Sequence, residues 1–126
     1  MQDQLFEYAV IRIMPRVERE EFMNVGIIVY CSKQKFLQIL YQVTPNRLEA
    51  FCAGTDLQEV QKNLEAMDNI CKGISGSGPI GKLDIASRFR WLTATRSTVI
   101  QTSKVHPGFC INPSEVILKL YKQLIL

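Results

Sequence analysis

The N-terminal third of the chain carries three stretches in which apolar positions recur with the two-residue period of a β-strand. Residues 7–14 are rich in β-branched side chains and end at Pro15, which cannot continue a central strand. Residues 22–31 form a second apolar stretch, and residues 35–43 alternate apolar residues with glutamines. We predict a three-stranded meander. Its middle strand is apolar on both sides, which indicates that both faces of the sheet are covered.

The apolar positions of the first two strands also predict their register. Ala9, Ile11 and Ile13 share one face of the first strand, because alternate residues of a strand point the same way. The matching face of the second strand comprises Met23, Val25, Ile27 and Val29. An antiparallel arrangement that aligns these faces predicts three cross-strand pairs: Ile11 with Val25, Arg12 with Asn24, and Val10 with Gly26. Because Gly26 has no side chain, another group could approach the backbone closely there.

After residue 43 the period changes to that of amphipathic helices. A short helix is predicted over residues 45–51, opened by the Thr44-Pro45 pair. A longer helix follows a capping box, with Thr55 as the N-cap and Gln58 three residues later. It ends before Gly73, whose backbone suits a helix stop.

The last third predicts a third helix over residues 83–92, a fourth strand over residues 97–105 and a turn at residues 106–108. Asn112 and Pro113 then open a final helix. The predicted fold class is α+β: an antiparallel sheet of about four strands, with helices packed against it.

Length and composition favour one domain over residues 1–126, with 47% hydrophobic and 21% charged residues. The N-terminus lacks the pattern of a signal peptide, and no apolar stretch approaches the roughly 18 residues of a spanning helix. The four cysteines are widely spaced, and the chain has one histidine. We therefore expect reduced, buried thiols, no metal site, no cofactor, no membrane association and a cytoplasmic location.

The net charge of +3 is small for a dedicated nucleic-acid-binding domain, so we do not expect nucleic acid as the partner. One segment is locally basic, with Lys82, Arg88, Arg90, Arg96 and Lys104. Inside it, Arg88 and Trp91 share one face of the predicted helix. In the interpretation that we favour, Phe89 and Leu92 pack in the core and the arginines reach solvent; in the alternative, this segment forms a surface for a ligand or partner.

Residues 76–82 satisfy the glycine spacings of two phosphate-binding motifs. Such motifs work when a strand delivers the glycines to the N-terminus of a helix. Here the segment follows the end of a predicted helix, and Leu83 stands where a magnesium-binding hydroxyl is required. We predict a flexible connector rather than a nucleotide loop.

Arg12, Glu21 and Asn24 are polar residues within an otherwise apolar hairpin. An unpaired charge in a protein interior is very costly, so Arg12 calls for a partner. In a structural interpretation, which we favour, Arg12 pairs with Glu21 or with a backbone carbonyl, and Asn24 fixes a strand end. In a functional interpretation Arg12 binds an anion or substrate and Asn24 orients it.

His106 is the only histidine, so histidine-dependent acid–base chemistry would have to use it. The adjoining Pro107 and Gly108 favour a turn residue instead.

Several segments together resemble the bacterial family known as domain of unknown function 3037. They are Tyr8-Ala9-Val10-Ile11-Arg12 with Pro15, Glu21-Phe22-Met23-Asn24-Val25-Gly26, Arg88-Phe89-Arg90-Trp91-Leu92 and Val105-His106-Pro107-Gly108. The resemblance spans roughly residues 6–124 and implies no particular reaction. Genes of such proteins lie beside those of HipA-like kinase proteins, which implies an accessory or regulatory subunit.

We therefore expect a non-enzymatic interaction module with a HipA-like kinase protein as partner. An exposed sheet edge would also allow a homodimer. The alternative is an enzyme or ligand-binding protein for a phosphorylated or nucleic-acid substrate. It requires the polar candidates to converge on one concave site. The candidate residues for a ligand or partner are Arg12, Glu21, Asn24, Gly26, Arg88, Trp91 and His106.

Overall fold

The chain folds into an antiparallel sheet with helices on both faces, which confirms the predicted α+β class. The computed structural model describes residues 3–94 and 98–126. The strands are β1 (Gln4–Ile13), β2 (Met23–Cys31), β3 (Phe36–Tyr41), β4 (Ile100–Thr102) and β5 (His106–Cys110). The helices are α1 (Pro45–Phe51), α2 (Leu57–Lys72), α3 (Ile85–Leu92) and α4 (Pro113–Leu124). Short 3₁₀ turns lie at Val17–Arg19 and Ile80–Lys82.

The first three strands form the predicted meander, in the order β3-β2-β1. Two further strands share the other edge of β1. β4 pairs with the end of β1 at Ile11, Arg12 and Ile13, whereas β5 pairs with its beginning, from Gln4 to Tyr8. The sheet therefore has five strands where the sequence predicts about four.

The predicted turn at residues 106–108 is wrong, because these residues begin strand β5. Pro107 is tolerated because β5 lies at a sheet edge, where a residue without an N–H loses no necessary hydrogen bond. Gly108 faces the ring of Phe6. A Cβ atom at this position would lie 2.5 Å from the Cζ atom of that ring, so any larger residue would force the Phe6 ring to move. The predicted fourth strand is correspondingly shorter, and Ser97 lies outside the described residues.

The register of β1 and β2 confirms only one of the three predicted pairs. Arg12 lies opposite Asn24, but Ile11 pairs with Gly26 rather than Val25. Val10 likewise pairs with Ile27, because the register shifts by one residue between Ile11 and Arg12. Val25 is the additional residue of this β-bulge. Because of this extra residue, the side chains of β2 that follow Val25 point to the opposite face of the sheet from the one that strict alternation with Met23 and Asn24 would give.

Each face of the sheet carries its own apolar core, as the apolar middle strand predicts. The first core contains Ile11, Val25 and Ile28, which pack beneath α2 and α3 through Leu64 and Phe89. The second core contains Val10, Ile27, Val29, Ile117 and Ile125, and α4 covers it above β2 and β3.

Helix ends follow local capping chemistry. α2 is capped by Asp56, whose carboxylate accepts from the Glu59 N–H at 3.2 Å, so the predicted cap at Thr55 is wrong. Gly73 ends this helix with a φ of 61°, as predicted. α3 begins at Ile85, two residues later than predicted, because Asp84 accepts from the Ser87 N–H at 2.7 Å. Within the described residues, no helix has the length and apolarity needed to cross a membrane.

Candidate functional site

Arg12 lies in a row of polar side chains that crosses three neighbouring strands. It pairs with Asn24 on β2 and with Gln101 on β4. Ile11 and Ile13, which flank Arg12, point into the first core. Arg12 and its two neighbours in the row therefore lie on the opposite face, the one that carries α4. Because α4 packs over β2 and β3, this end of β1 lies beside the helix rather than beneath it.

The guanidinium of Arg12 stacks on an aromatic ring. Its central carbon lies 3.9 Å from the ring centroid of Phe22, in cation–π geometry. Its Nε atom is buried and has no hydrogen-bond partner in the described part of the chain. The Oδ1 atom of Asn24, in the next strand, is buried and unpartnered in the same way. An unsatisfied donor and an unsatisfied acceptor thus lie on residues that face each other across two strands.

Glu21 pairs with Arg19 rather than with Arg12. The Oε1 atom of Glu21 lies 2.6 Å from the Arg19 Nε atom, and both side chains are largely exposed. Glu21 also lines a groove of about 250 Å³ between the β1–β2 connection and α1, together with Arg16 and Cys52. The pairing of Arg12 with Glu21 that one interpretation predicts is therefore wrong.

Gly26 is required by the packing of β3. A Cβ atom added there would lie 2.7 Å from the carbonyl oxygen of Leu40 and 2.9 Å from the Cβ atom of Tyr41. The sequence predicts a close approach to the backbone at Gly26, and strand β3 makes it. Gly26 itself pairs with Ile11 of β1, not with Val10 as predicted.

Arg88 binds the end of α2. Its Nη1 atom donates to the carbonyl oxygens of Ile70 and Cys71, both at 2.8 Å. The last carbonyls of a helix have no partner within the helix and carry partial negative charge, so a cation is well placed there. Arg88 lies on the face of the sheet opposite to Arg12, and its Nε atom is buried without a partner among the described residues.

The rest of the basic segment is divided among different contacts. Arg90 forms an ion pair with Glu7 of β1, in which Nη2 and Oε2 lie 2.7 Å apart. Trp91 is 39% exposed and lines a groove between α2, α3 and β4. Arg96 lies outside the described residues. Phe89 is fully buried, which agrees with a core role for this part of α3.

His106 packs against Tyr8, its cross-strand neighbour, with the ring centroids 5.2 Å apart. Tyr8 is four positions from Arg12 along β1, which corresponds to about 13 Å. The polar candidates therefore do not converge: Arg12 and Asn24 adjoin, whereas Glu21, Arg88 and His106 each contact other groups.

An exposed apolar patch, formed by Leu5, Phe109 and Ile111, is absent from the sequence-based candidates. Leu5 and Phe109 are direct cross-strand neighbours, 51% and 71% exposed, and Ile111 follows at 47%. Leu5 shares its strand face with Glu7 and Ala9, the face that α2 and α3 cover further along β1. Leu5 and Phe109 are far apart in the sequence and become neighbours only when β1 pairs with β5. The sequence therefore hints at the patch only through Phe109, an apolar residue directly after Pro107-Gly108.

All four cysteines are free thiols, and three of them are buried. Burial raises the pKa of Cys71 to about 12, and it also raises the pKa of Cys110. Both therefore remain neutral thiols near pH 7. Residues 3–94 and 98–126 contain no cluster of three or more potential metal ligands.

Comparison with known proteins gives a family and no further relative. No curated protein and no solved structure matches the chain significantly. The family model described as "Protein of unknown function (DUF3037)" matches residues 8–125, nearly the whole chain. The chain therefore belongs to this family, in agreement with the hairpin and α3 motifs of its sequence.

Proposed function

We propose that this domain is a non-enzymatic protein-binding module whose docking surface is the apolar patch of Leu5, Phe109 and Ile111. The exposure of this patch carries the proposal. Phe109 is 71% exposed beside a 51% exposed Leu5, so two large apolar side chains stand together in solvent. Burial of each such side chain contributes about 1.5–3 kcal/mol, which favours a partner that covers both.

The geometry of β5 favours an extended segment of another protein as the occupant. In the described part of the sheet, β5 pairs only with β1. The backbone at the other edge of β5 can hydrogen-bond to an added strand. Every second side chain of that strand would then pack against Leu5 and Phe109. The family resemblance adds a candidate partner, a HipA-like kinase protein, for which the domain would act as a cytoplasmic accessory subunit in bacteria.

The alternative function, an enzyme or binding protein for a phosphorylated or nucleic-acid substrate, has less support. It needs Arg12 and Arg88 in one site, but they occupy opposite faces of the sheet, and Arg88 is engaged by two carbonyls of α2. Arg90 is similarly paired with Glu7.

Co-expression of the domain with a HipA-like kinase protein from the same genome tests the proposal. Phe109→Ser and Leu5→Ser should each reduce recovery of the complex at least tenfold. Leu118→Ser is the matched control, because Leu118 is 54% exposed on α4, which covers the other face. A complex that survives both patch substitutions, or no complex with the wild-type domain, would argue against the proposal. A wild-type homodimer that Leu5→Ser converts to a monomer would instead identify a second copy as the occupant.

A further inference from the structure

We propose that Arg12 is a binding site for a carboxylate, separate from the apolar patch. The site lies on the α4 face of β1, and the patch lies on the other face at the opposite end of the same strand. The proposal rests on the hydrogen-bonding state of the guanidinium, its aromatic support and its lack of a counter-charge. None of these observations depends on the proposed protein-binding function.

The free donors of Arg12 are its two Nη groups. Nε is the guanidinium atom that is fully buried without a partner, and the structure gives Nη1 and Nη2 no hydrogen bond within the described residues. The Nη edge is therefore the part that can reach a ligand. Because the centroid of the Phe22 ring lies 3.9 Å from the guanidinium carbon, the ring covers one face of the group. A planar fork stacked in this way matches the two oxygens of a carboxylate.

The charge of Arg12 is not balanced by a neighbour. The ion pairs formed among the described residues use Arg19, Lys72 and Arg90. The residues that pair with Arg12 on the two neighbouring strands, Asn24 and Gln101, both carry neutral amides. The Gln101 amide is already engaged, since its Nε2 atom donates to the Thr98 carbonyl at 2.8 Å. A half-buried cation without a counter-charge favours an anionic ligand.

A single positive charge surrounded by neutral amides favours a carboxylate over a phosphate. A carboxylate carries one negative charge, whereas a phosphate group carries up to two and needs more donors. The unpartnered Oδ1 atom of Asn24 would also repel additional anionic oxygens. Asn24 acts as a positioning residue, because it lies opposite Arg12 in register and its buried Oδ1 atom has no partner among the described residues.

The carboxylate could come from a small organic acid or from an acidic segment of a partner protein, and NMR titration distinguishes them. The probes are sodium acetate, poly-L-glutamate and sodium phosphate at constant ionic strength, with the Arg12 Nε–H resonance as the readout. We expect a saturable shift with acetate or poly-L-glutamate. Poly-L-glutamate that binds more tightly per carboxylate than acetate identifies an acidic segment, and the reverse order identifies a small carboxylate.

Two substitutions and a control complete the test. Arg12→Lys keeps the charge but loses the fork, so the affinity should fall at least tenfold, as followed in this variant through the backbone N–H resonance of Asn24, the cross-strand neighbour of position 12. Asn24→Asp leaves Arg12 in place and supplies an internal carboxylate, which should abolish the shift by competing with the ligand. Arg19→Lys, in an exposed ion pair, should change nothing. No saturable shift at Arg12, tighter binding of phosphate than of both carboxylates, or normal binding by Asn24→Asp would each overturn the proposal.

Discussion

Ser103 completes the edge of the sheet by exchanging two hydrogen bonds with Val10. The N–H of Val10 donates to Ser103 Oγ at 2.8 Å, and the N–H of Ser103 donates to the Val10 carbonyl, also at 2.8 Å. The Ser103 hydroxyl in turn donates to the Lys104 carbonyl at 2.9 Å. Both residues are buried. A side-chain oxygen thus takes the place of a backbone carbonyl where β4 ends and before β5 begins.

Ser103→Ala should destabilise the domain by about 1–3 kcal/mol, because it leaves the buried N–H of Val10 without an acceptor. Urea denaturation monitored by circular dichroism measures the change in the free energy of unfolding. Ser103→Thr, which retains the hydroxyl, should recover most of the loss. Ser75→Ala, at an exposed loop position, is the control and should have no measurable effect. Equal stability of the Ser103→Ala and Ser75→Ala variants would contradict the assigned role.

Arg88→Met should also lower the free energy of unfolding by about 1–3 kcal/mol, because two carbonyls at the end of α2 lose a charged donor. Arg90→Met removes the same chemical group two residues away. Its ion pair with Glu7 is more than half exposed on the arginine side, so this variant should lose at most about 1 kcal/mol. The two variants are compared in the same urea titration, and an Arg90→Met loss as large as that of Arg88→Met would show that Arg88 has no special role.

Strand and helix positions were predictable wherever one period held over a whole element. The meander, α1 and the end of α2 at Gly73 follow from local alternation and capping chemistry. The bulge at Val25 was not predictable in this way. Alternation assumes one residue per position, and Val25 is an extra residue that only the pairing with β1 and β3 reveals.

The edge formed by β4 and β5 depends on long-range pairing, so local signals predicted it poorly. Pro107 and Gly108 are typical of turns, and only their position against Phe6 at a sheet edge makes them part of a strand. For the candidate site, the sequence predicted that Arg12 and Asn24 are neighbours. It could not predict that Glu21 pairs with Arg19, since Glu21 precedes β2 and no strand pairing determines the direction of its side chain.

Cys52 should be the fastest of the four cysteines to react with a thiol reagent. It is partly exposed, whereas Cys31, Cys71 and Cys110 are buried. Because the thiolate is the reactive form, burial also protects Cys71 and Cys110 by raising their pKa values. Reaction with Ellman's reagent at pH 8 should titrate one thiol rapidly in the native protein and four after denaturation. Cys52→Ser should remove the rapid phase, and its persistence in that variant would contradict the assignment.

The stability of the domain should fall as the pH rises above about 9. Burial raises the pKa of Cys71 from 9.0 to about 12, and it also raises the pKa values of Tyr41 and Tyr121. Between the unfolded and folded pKa values, the unfolded chain releases protons that the folded chain retains, so a rise in pH favours unfolding. Urea midpoints measured from pH 7 to pH 10.5 should therefore decrease at the alkaline end. In Cys71→Ala the overall stability is lower, but the decrease with pH should be shallower because one of these groups is gone. An unchanged slope in that variant would show that Cys71 does not contribute to the alkaline loss of stability.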